Sequence, residues 1–378
     1  MKHSLMFKTV SESCNLSCDY CYYTKPTGEL KVPNHMEYWK LKKLIKEYMM
    51  YNRGTASFIW QGGEPLLAGL DFFNEMISFE EEFAPPNTFI SNAIQTNGTL
   101  INEKWAKFLK SYNFLVGVSL DGPRDIHDSR RNFNNGNGSF DAVMRGLNIL
   151  ENYGVDYNIL TVVHRGNISR TNALMDFYKQ NGFRWIQFLP AMKFDSHNPE
   201  SPAKYEITAH EYGQFLRETF DWWFKEFMRN ATPPFSIRFF DNVLSTYIND
   251  DPGFCMISKE CANTLIIEQN GDIFPCDFFM SDRWKLGNIG SDDLESITKS
   301  DTYREFRNLK LVLSDKCNTC KWKSKCYGGC PRNRNYRNNE YNIDFFCEAY
   351  YDFYEYTHER MNQLACTLRE SLERMKLH

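Results

Sequence analysis

Over its first 190 residues, the chain switches repeatedly between two hydrophobic periods. Short apolar runs rich in β-branched and aromatic residues predict strands; they are LMFKTV (5–10), ASFIW (56–60), NAIQT (92–96), FLVGVSL (114–120), YNILTVV (157–163) and WIQFL (185–189). Between them, apolar residues recur three and four positions apart, which predicts amphipathic helices; they cover 35–51, 71–83, 102–112, 140–153 and 168–181. Strand and helix therefore alternate.

This alternation predicts an α/β fold with a parallel sheet. Because βαβ crossovers are right-handed, six such units curl into a partial (β/α)6 barrel of the TIM type. The active site of such a barrel lies at the carboxyl ends of its strands. We therefore expect functional residues directly after the predicted strands.

After residue 190 the alternation stops. The polar stretch 191–211 predicts a linker or lid, and an aromatic-rich helix follows over 211–230. Further on, TLIIEQNGDIFPC (264–276) has the pattern of a hairpin, and the last part of the chain predicts one long helix. We predict two domains, 1–230 and 231–378.

Composition narrows the class of protein. The net charge is −4 and no basic stripe is present, so we expect no nucleic-acid partner. No apolar run reaches the roughly 18 residues that a membrane helix needs, so we expect no membrane span. The start, MKHSLMFKTV, lacks the pattern of a signal peptide, which makes the cytoplasm the expected compartment.

The 12 cysteines fall into two groups, with none between residues 21 and 255. Clustered thiols in a reducing compartment favour metal binding over disulfides. Cys14, Cys18 and Cys21 follow the first strand, and three ligands leave one coordination position open, as catalytic metal sites do. A zinc loop or chance clustering is the other interpretation of these three residues.

The second group provides eight candidate ligands; they are Cys255, Cys261, Cys276, Cys317, Cys320, Cys326, Cys330 and Cys347. Spacing alone does not decide how they pair, and a zinc ribbon over 317–330 stays open. Cys366, on the predicted final helix, is surplus, and we expect it to be a packed thiol.

Small and polar residues follow the next three strands. WQGGEP (60–65) contains Gly62 and Gly63, which allow a ligand to approach the main chain closely, followed by Glu64. The third and fourth strands end in four polar residues that are candidates to hydrogen-bond a ligand; they are Thr96, Asn97, Ser119 and Asp121. Ordinary turn chemistry is the alternative for each of them.

The spacing C-x3-C-x2-C followed by an aromatic residue resembles the signature of the radical S-adenosylmethionine enzymes. The resemblance implies a 4Fe–4S cluster on Cys14, Cys18 and Cys21, whose open iron binds S-adenosylmethionine. It also implies that Gly62, Gly63 and Glu64 form the motif that contacts the methionine amino group. We expect Thr96, Asn97, Ser119 and Asp121 to complete that site by binding the ribose or the carboxylate.

The stretch CNTCKWKSKCYGGC (317–330) resembles the SPASM extension of radical enzymes that modify peptides. That resemblance implies two auxiliary 4Fe–4S clusters, and therefore three clusters in all. The implied ligands of the first are Cys255, Cys261, Cys276 and Cys330. The implied ligands of the second are Cys317, Cys320, Cys326 and Cys347.

Nearly the whole chain resembles the anaerobic sulfatase-maturating enzymes. The resemblance is carried by CNLSCDYCYY, QGGEPLLAGLDFF, IQTNGTLINEKWAKFL, FLVGVSLDGP, GDIFPCDFFMSDRWKLGNI and CKWKSKCYGGC. It implies oxidation of a peptidyl Cys or Ser in an unfolded sulfatase to formylglycine through a 5′-deoxyadenosyl radical. It further implies Asp277 as the catalytic base, Tyr23 and Gln61 as peptide contacts, and a flavodoxin- or ferredoxin-type electron donor.

Two other functions stay open. Related radical enzymes crosslink ribosomally made peptides through thioether or carbon–carbon bonds, and the segment 188–206 does not match the maturases clearly. Most crosslinking enzymes carry an N-terminal leader-binding domain, and a cysteine loop starting at residue 14 leaves no room for one, which favours the maturase. An iron–sulfur electron carrier is the distant alternative, since it needs neither the barrel nor the Gly-Gly-Glu turn.

Overall fold

The structure is a computed structural model, and it describes residues 3–23, 35–52, 54–192, 203–230, 235–248, 252–334 and 342–376. The chain forms two compact units that interleave along the sequence. The first contains residues 1–120, 124–160 and 263–306, and the second contains 121–123, 161–262 and 307–378. The predicted boundary at residue 230 divides the chain once, whereas each of these units contains several segments of the chain. The predicted boundary stays a prediction.

The strands of the described residues are β1 (Ser4–Lys8), β2 (Thr55–Gln61), β3 (Phe89–Thr96), β4 (Leu115–Ser119), β5 (Tyr157–Val163), β6 (Trp185–Pro190), β7 (Ser236–Ile237), β8 (Thr264–Glu268), β9 (Asp272–Phe274) and β10 (Gly287–Asn288). All six strands predicted from the first 190 residues are present within a few residues of their predicted limits. The predicted hairpin is also present, as β8 and β9.

The helices of the same residues are α1 (Tyr38–Tyr51), α2 (Gly69–Phe83), α3 (Glu103–Ser111), α4 (Arg124–His127), α5 (Phe140–Asn152), α6 (Thr171–Gln180), α7 (Ala209–Asn230), α8 (Arg238–Ile248), α9 (Leu294–Thr298), α10 (Asp301–Leu309), α11 (Asp315–Asn318), α12 (Lys323–Cys326), α13 (Pro331–Arg334) and α14 (Cys347–Lys376). Short 3₁₀ turns cover Pro65–Ala68, Cys255–Ile257 and Asp282–Trp284. Helix α14 is the predicted long final helix. Part of the predicted linker, residues 193–202, lies outside the described residues.

The sheet of the first unit has the strand order β10-β9-β8-β1-β2-β3-β4-β5. Neighbours from β8 through β5 are parallel, whereas β9 and β10 run antiparallel. Parallel pairing follows from the helices that connect successive strands, because each crossover returns the chain to the same edge. The carboxyl ends of β8, β1, β2, β3 and β4 therefore lie side by side.

An aromatic core covers one face of this sheet. The inward residues of β2 alternate as a half-buried strand requires, and Trp60 stacks on Phe7 of β1 at 4.4 Å between ring centroids. Phe72 and Phe73 of α2 meet Trp60 edge to face. These four side chains are at most 2% exposed. Full burial of side chains of this size contributes about 1.5–3 kcal/mol each, so the helices are held firmly against the sheet.

The second unit has a helical core and a small parallel pair, in which β6 lies beside β7. Helix α7 packs against α14, and Phe220 meets Phe353 with ring centroids 5.8 Å apart. Trp223 and Phe240 complete the cluster and are fully buried. Among the helices that the structure describes, none is long and apolar enough to cross a bilayer.

Candidate active site

The loop with Cys14, Cys18 and Cys21 follows β1 at the carboxyl edge of the sheet. Donors approach two of its sulfur atoms: the Leu16 amide lies 3.4 Å from Cys14 Sγ, and the Arg131 guanidinium lies 3.9 Å from Cys18 Sγ. Burial raises the pKa of the Cys14 thiol to about 12. A thiolate there needs a compensating charge, which bound iron supplies. The loop therefore fits a cluster.

The Gly-Gly-Glu turn touches this loop through its backbone. The Glu64 amide donates to the carbonyl oxygen of Ser13 at 2.8 Å. Gly63 has φ +56°, and a Cβ there would lie 2.0 Å from the same carbonyl oxygen. Only glycine permits this approach without displacing the start of the cysteine loop.

Glu64 is fully buried, and its carboxylate is used inside the protein. It accepts hydrogen bonds from the Leu66 amide at 3.0 Å, the Thr96 hydroxyl at 2.7 Å and the Asn97 amide at 2.7 Å. Burial raises the pKa of Glu64 to about 7, and these donors oppose that rise. The side chain therefore ties the end of β2 to the end of β3.

Asn97 and Ser119 lie at the ends of β3 and β4, as the sequence predicts. The Asn97 amide nitrogen donates to Asn15 Oδ1 at 2.8 Å and lies 3.8 Å from Cys14 Sγ. Ser119 Oγ accepts from the Gln95 side chain at 3.1 Å. The structure thus brings Thr96 and Asn97 together with the cysteine loop, in the first unit.

Asp121 belongs to the second unit and is fully buried. Its Oδ1 accepts from the Val162 amide at 3.0 Å, and its carbonyl accepts from the Asn167 side chain at 3.3 Å. These contacts are those of a residue that holds a strand end. A role in binding S-adenosylmethionine stays a prediction.

Asp277 lies in a polar network of the first unit, which we call the Asp277 network; its other members are Lys8, Tyr22 and Gln61. Asp277 Oδ1 forms an ion pair with the Lys8 ammonium, and the Tyr22 hydroxyl donates to Oδ2. Gln61 Nε2 donates to the Tyr22 hydroxyl at 3.1 Å and reaches Oδ2 at 3.5 Å. The Lys8 side chain is 0% exposed and that of Asp277 is 12% exposed. The carboxylate is therefore paired, oriented and still reachable.

Tyr23 lies beside this network. Its hydroxyl donates to Glu268 Oε1 at 2.6 Å, and its ring centroid lies 4.4 Å from the Lys8 ammonium. Burial raises the pKa of Glu268, while Tyr23 and the positive charge of Lys8 lower it. Sequence reasoning missed Lys8, Tyr22 and Glu268. The available signal was a lysine inside an otherwise apolar strand.

In the second unit, four cysteines line one cavity of about 350 Å³; they are Cys317, Cys320, Cys326 and Cys347. The resemblance implies this same set for the second auxiliary cluster. Burial raises the pKa of Cys326 to about 12, and the amides of Gly328 and Gly329 lower it by donating to the sulfur. The donor set and its shared cavity fit a cluster with four thiolate ligands.

Cys255, Cys261 and Cys330 also belong to the second unit, whereas Cys276 belongs to the first. Burial raises the pKa of Cys261 to about 11, and the charges of the other two thiols act on it in the same direction. Three thiols that influence one another in this way suit a shared cluster. Cys366 is exposed on α14, so the expectation of a packed thiol is wrong, because the residue faces solvent. In the part of the chain that the structure describes, no three His, Cys, Asp or Glu side chains converge as ligands of a single metal ion.

Comparison with known proteins matches two family models to the chain. The Radical SAM superfamily matches residues 9–178, and the iron–sulfur cluster-binding SPASM domain matches 255–321. A cysteine-type anaerobic sulfatase-maturating enzyme of Clostridium novyi is 36% identical over 97% of this chain and 98% of its own length. The chain belongs to the anaerobic sulfatase-maturating enzymes. A serine-type member from Bacteroides thetaiotaomicron is 34% identical over 93% of this chain and 88% of its own length.

Solved structures of a maturating enzyme agree with this assignment. Native anSMEcpe with bound AdoMet superposes with a TM-score of 0.91 at 33% identity, covering 97% of this chain and 99% of that one. The α/β radical S-adenosylmethionine fold with its SPASM extension is thereby confirmed, as is the class of peptide-modifying radical enzyme. The matched domains also indicate iron–sulfur clusters and S-adenosylmethionine as cofactors of this chain. SuiB, at 19% identity and a TM-score of 0.66, shares the fold.

Proposed function

We propose that this chain oxidises the Cβ of a peptidyl Cys or Ser in a sulfatase to formylglycine. The observation that carries the proposal is the match to sulfatase-maturating enzymes over 97% of the chain, with both domains present. A native anSMEcpe structure holds AdoMet together with the Cp18Cys peptide, which supports a peptide as substrate here. The partly exposed Asp277 carboxylate, which is paired with Lys8, supports the proposal as a candidate base.

For a Cys substrate, a hydrogen atom leaves Cβ, the thiol loses its proton and one further electron leaves the peptide. The resulting thioaldehyde is hydrolysed to the aldehyde and hydrogen sulfide. When bound, the cluster of the 14–21 loop and S-adenosylmethionine supply the radical that takes the hydrogen atom, and an auxiliary cluster takes the electron. The chain's own side chains handle the proton.

Asp277 is the proposed proton acceptor. Lys8 occupies its Oδ1 by an ion pair, which leaves Oδ2 on the side of Tyr22 and Gln61. Tyr22 is 37% exposed, so a peptide has access from that side. A base must lie within hydrogen-bond reach of the proton that it removes, and Oδ2 is the oxygen that we propose for this role.

Gln61 and Tyr23 remain the proposed peptide contacts. The side-chain nitrogen of Gln61 donates to the Tyr22 hydroxyl within the Asp277 network. The side-chain oxygen, at the end of β2, is the atom proposed to contact the peptide. The Tyr23 hydroxyl donates to Glu268, so the proposed peptide contact of Tyr23 is through its ring.

S-adenosylmethionine is proposed to lie against the backbone of Gly62 and Gly63. Glu64 stabilises this turn, because its carboxylate accepts hydrogen bonds from donors of the protein itself. Thr96, Asn97, Ser119 and Asp121 stay proposed contacts, and Asn97 has the strongest case because it also lies beside Cys14.

Three clusters are proposed in total, with the ligand sets that the resemblance implies. Cys14, Cys18 and Cys21 would hold the first. The two sets of four thiols in the SPASM extension would hold the others. A flavodoxin- or ferredoxin-type protein is the proposed electron donor, and a reducing compartment such as the cytoplasm keeps this many thiols free.

The test is anaerobic turnover of a synthetic peptide with the sulfatase-type motif Cys-x-Pro-x-Arg, followed by mass spectrometry. We expect an aldehyde-bearing peptide and one 5′-deoxyadenosine for each event. A peptide with Ala in place of Cys is the matched control, and it should give no aldehyde. A product that keeps its sulfur and loses two hydrogens would identify a crosslinking enzyme and refute the proposal.

A further inference from the structure

Lys310 is a buried ammonium in the second unit, with its side chain among the thiols of the SPASM extension. The residue is 2% exposed. Its Nζ donates to the carbonyl oxygens of Cys255 at 2.6 Å, Met256 at 2.9 Å and Gly329 at 3.0 Å. Three acceptors require three N–H groups, so the amine is in its protonated, charged form.

A buried ammonium normally has a carboxylate partner, because a lone charge is costly to remove from water. Among the described residues, Lys310 forms no ion pair with any carboxylate. The nearby groups that can become negative are instead thiols: burial lowers the pKa of Lys310, and negative charge on Cys261, Cys330 and Cys255 raises it. The position of the ammonium therefore suits the counter-ion of a negatively charged group that these thiols bind.

Arg334 keeps Lys310 in this place. Its guanidinium is 1% exposed and donates to five carbonyl groups, at Leu309, Lys310, Val312, Tyr327 and Gly328. These bonds clamp the segment that carries Lys310 to the turn between Cys326 and Cys330. Gly329 permits that turn, since a Cβ there would lie 2.1 Å from Asp344 Oδ2.

We propose that Lys310 is a positioning residue whose ammonium is the fixed positive charge of the first auxiliary cluster, whose proposed ligands include Cys255, Cys261 and Cys330, and that it raises the reduction potential of that cluster. The proposal rests on the cluster assignment of the proposed function. A 4Fe–4S cluster with thiolate ligands is an anion that gains a further negative charge on reduction. A nearby positive charge in a medium of low dielectric constant therefore stabilises the reduced form more than the oxidised one.

The positive charge of Lys310 favours electron transfer from the peptide to the cluster. The peptide must lose an electron after its hydrogen atom has left, and a cluster with a raised potential accepts that electron more readily. Lys310 thus favours oxidation of the peptide without touching it.

The test is a potentiometric titration of the full-length, cluster-loaded protein, followed by electron paramagnetic resonance and without peptide. In Lys310→Gln, which keeps an N–H donor and removes the charge, we expect one signal to move to lower potential. The reduction equilibrium of that cluster should fall at least about tenfold, which is about 59 mV for one electron. Lys225→Gln removes an exposed lysine of the same unit, on α7 and distant in sequence from the proposed cluster ligands, and should move nothing.

Lys310→Arg separates charge from shape. Retention of the wild-type potential in this variant, with a shift in Lys310→Gln, supports the proposal. If Lys310→Gln binds all of its iron and keeps every potential, the proposal is overturned. If Lys310→Gln loses four irons and Lys310→Arg keeps them, the cluster needs the positive charge even to bind. If both variants lose four irons, the amine only holds the chain in place, and the proposal is overturned. Wild-type protein with fewer than three clusters would refute the assignment in the proposed function instead.

Discussion

Asp277→Asn tests the proposed base, and the structure changes how the experiment must be designed. The substitution keeps the size of the side chain but removes its charge and its capacity to accept a proton at neutral pH. We expect reductive cleavage of S-adenosylmethionine to continue, because hydrogen abstraction does not use this carboxylate. Peptide oxidation should fall by about 10²-fold or more, the usual cost of losing a positioned base.

The same substitution also leaves the Lys8 ammonium, which is 0% exposed, without its partner. Breaking a buried ion pair costs about 3–5 kcal/mol. Two features reduce this cost: the Asp277 side chain is 12% exposed, and Glu268 interacts with the same ammonium. We therefore expect a loss of about 2–3 kcal/mol in the free energy of unfolding, which is less than the roughly 5–15 kcal/mol of a typical domain.

Lys8→Met/Asp277→Asn is the matched control, since it removes both charges from the buried site. Thermal unfolding of the cluster-loaded proteins under anaerobic conditions should show Asp277→Asn about 4–12 °C below wild type, with the double variant recovering most of that difference. Peptide product and 5′-deoxyadenosine are measured in the same reactions. Product should stay low in both variants.

Two results would refute this reasoning. Peptide oxidation near the wild-type rate in Asp277→Asn means that the base lies elsewhere. Recovery of peptide oxidation in the double variant means that the single variant failed because of an unpaired ammonium, and Asp277 is then a structural partner of Lys8.

Three further predictions concern other parts of the molecule. Replacing all three cysteines of the 14–21 loop by Ala should remove about a third of the bound iron, if three equal clusters are present; iron analysis that shows total loss, or none, would contradict the ligand sets. Gly63→Ala should lower 5′-deoxyadenosine formation at least tenfold, because its Cβ would lie 2.0 Å from a backbone oxygen, whereas Gly69→Ala, at φ +82° with nothing within 4 Å, is the control for backbone strain alone and should retain activity. Burial raises the pKa of Glu80 from 4.5 to about 8, so the fold loses stability as the pH rises across that interval. Glu80→Gln should therefore be more stable than wild type at pH 8 by about 3–5 kcal/mol in urea unfolding, and this difference should shrink toward pH 5. If the variant and wild type are equally stable at both pH values, Glu80 is not a buried carboxylate that binds a proton.

The strands, the helices and the cysteine loop were predictable because each depends on neighbours in sequence. Alternating burial along β2 is an example, since the same residues give the pattern and form the strand. The Gly-Gly-Glu turn was predictable for the same reason. The hydrogen bond from Glu64 to Ser13 was not, because the two residues are 51 positions apart.

The contacts of the Asp277 network could not be predicted from the sequence. Lys8 is one charged residue in an apolar strand, and nothing near it in the sequence explains its burial. Its partner is 269 positions away and reaches it only through the pairing of β1 with β8. Lys310 was missed in the same way, because on its own it is indistinguishable from a solvated lysine at the end of an amphipathic helix.

The pairing of β1 with β8 also has a consequence for the synthesis of the protein. Ser4 lies beside Thr264, so one edge of the first strand cannot be completed until about 260 more residues have left the ribosome. At roughly 5–20 residues per second, that edge stays open for about 13–50 s. An open strand edge is a template for pairing with other chains. We expect nascent chains stalled before residue 264 to associate with one another or with chaperones, and release of the complete chain to end that association.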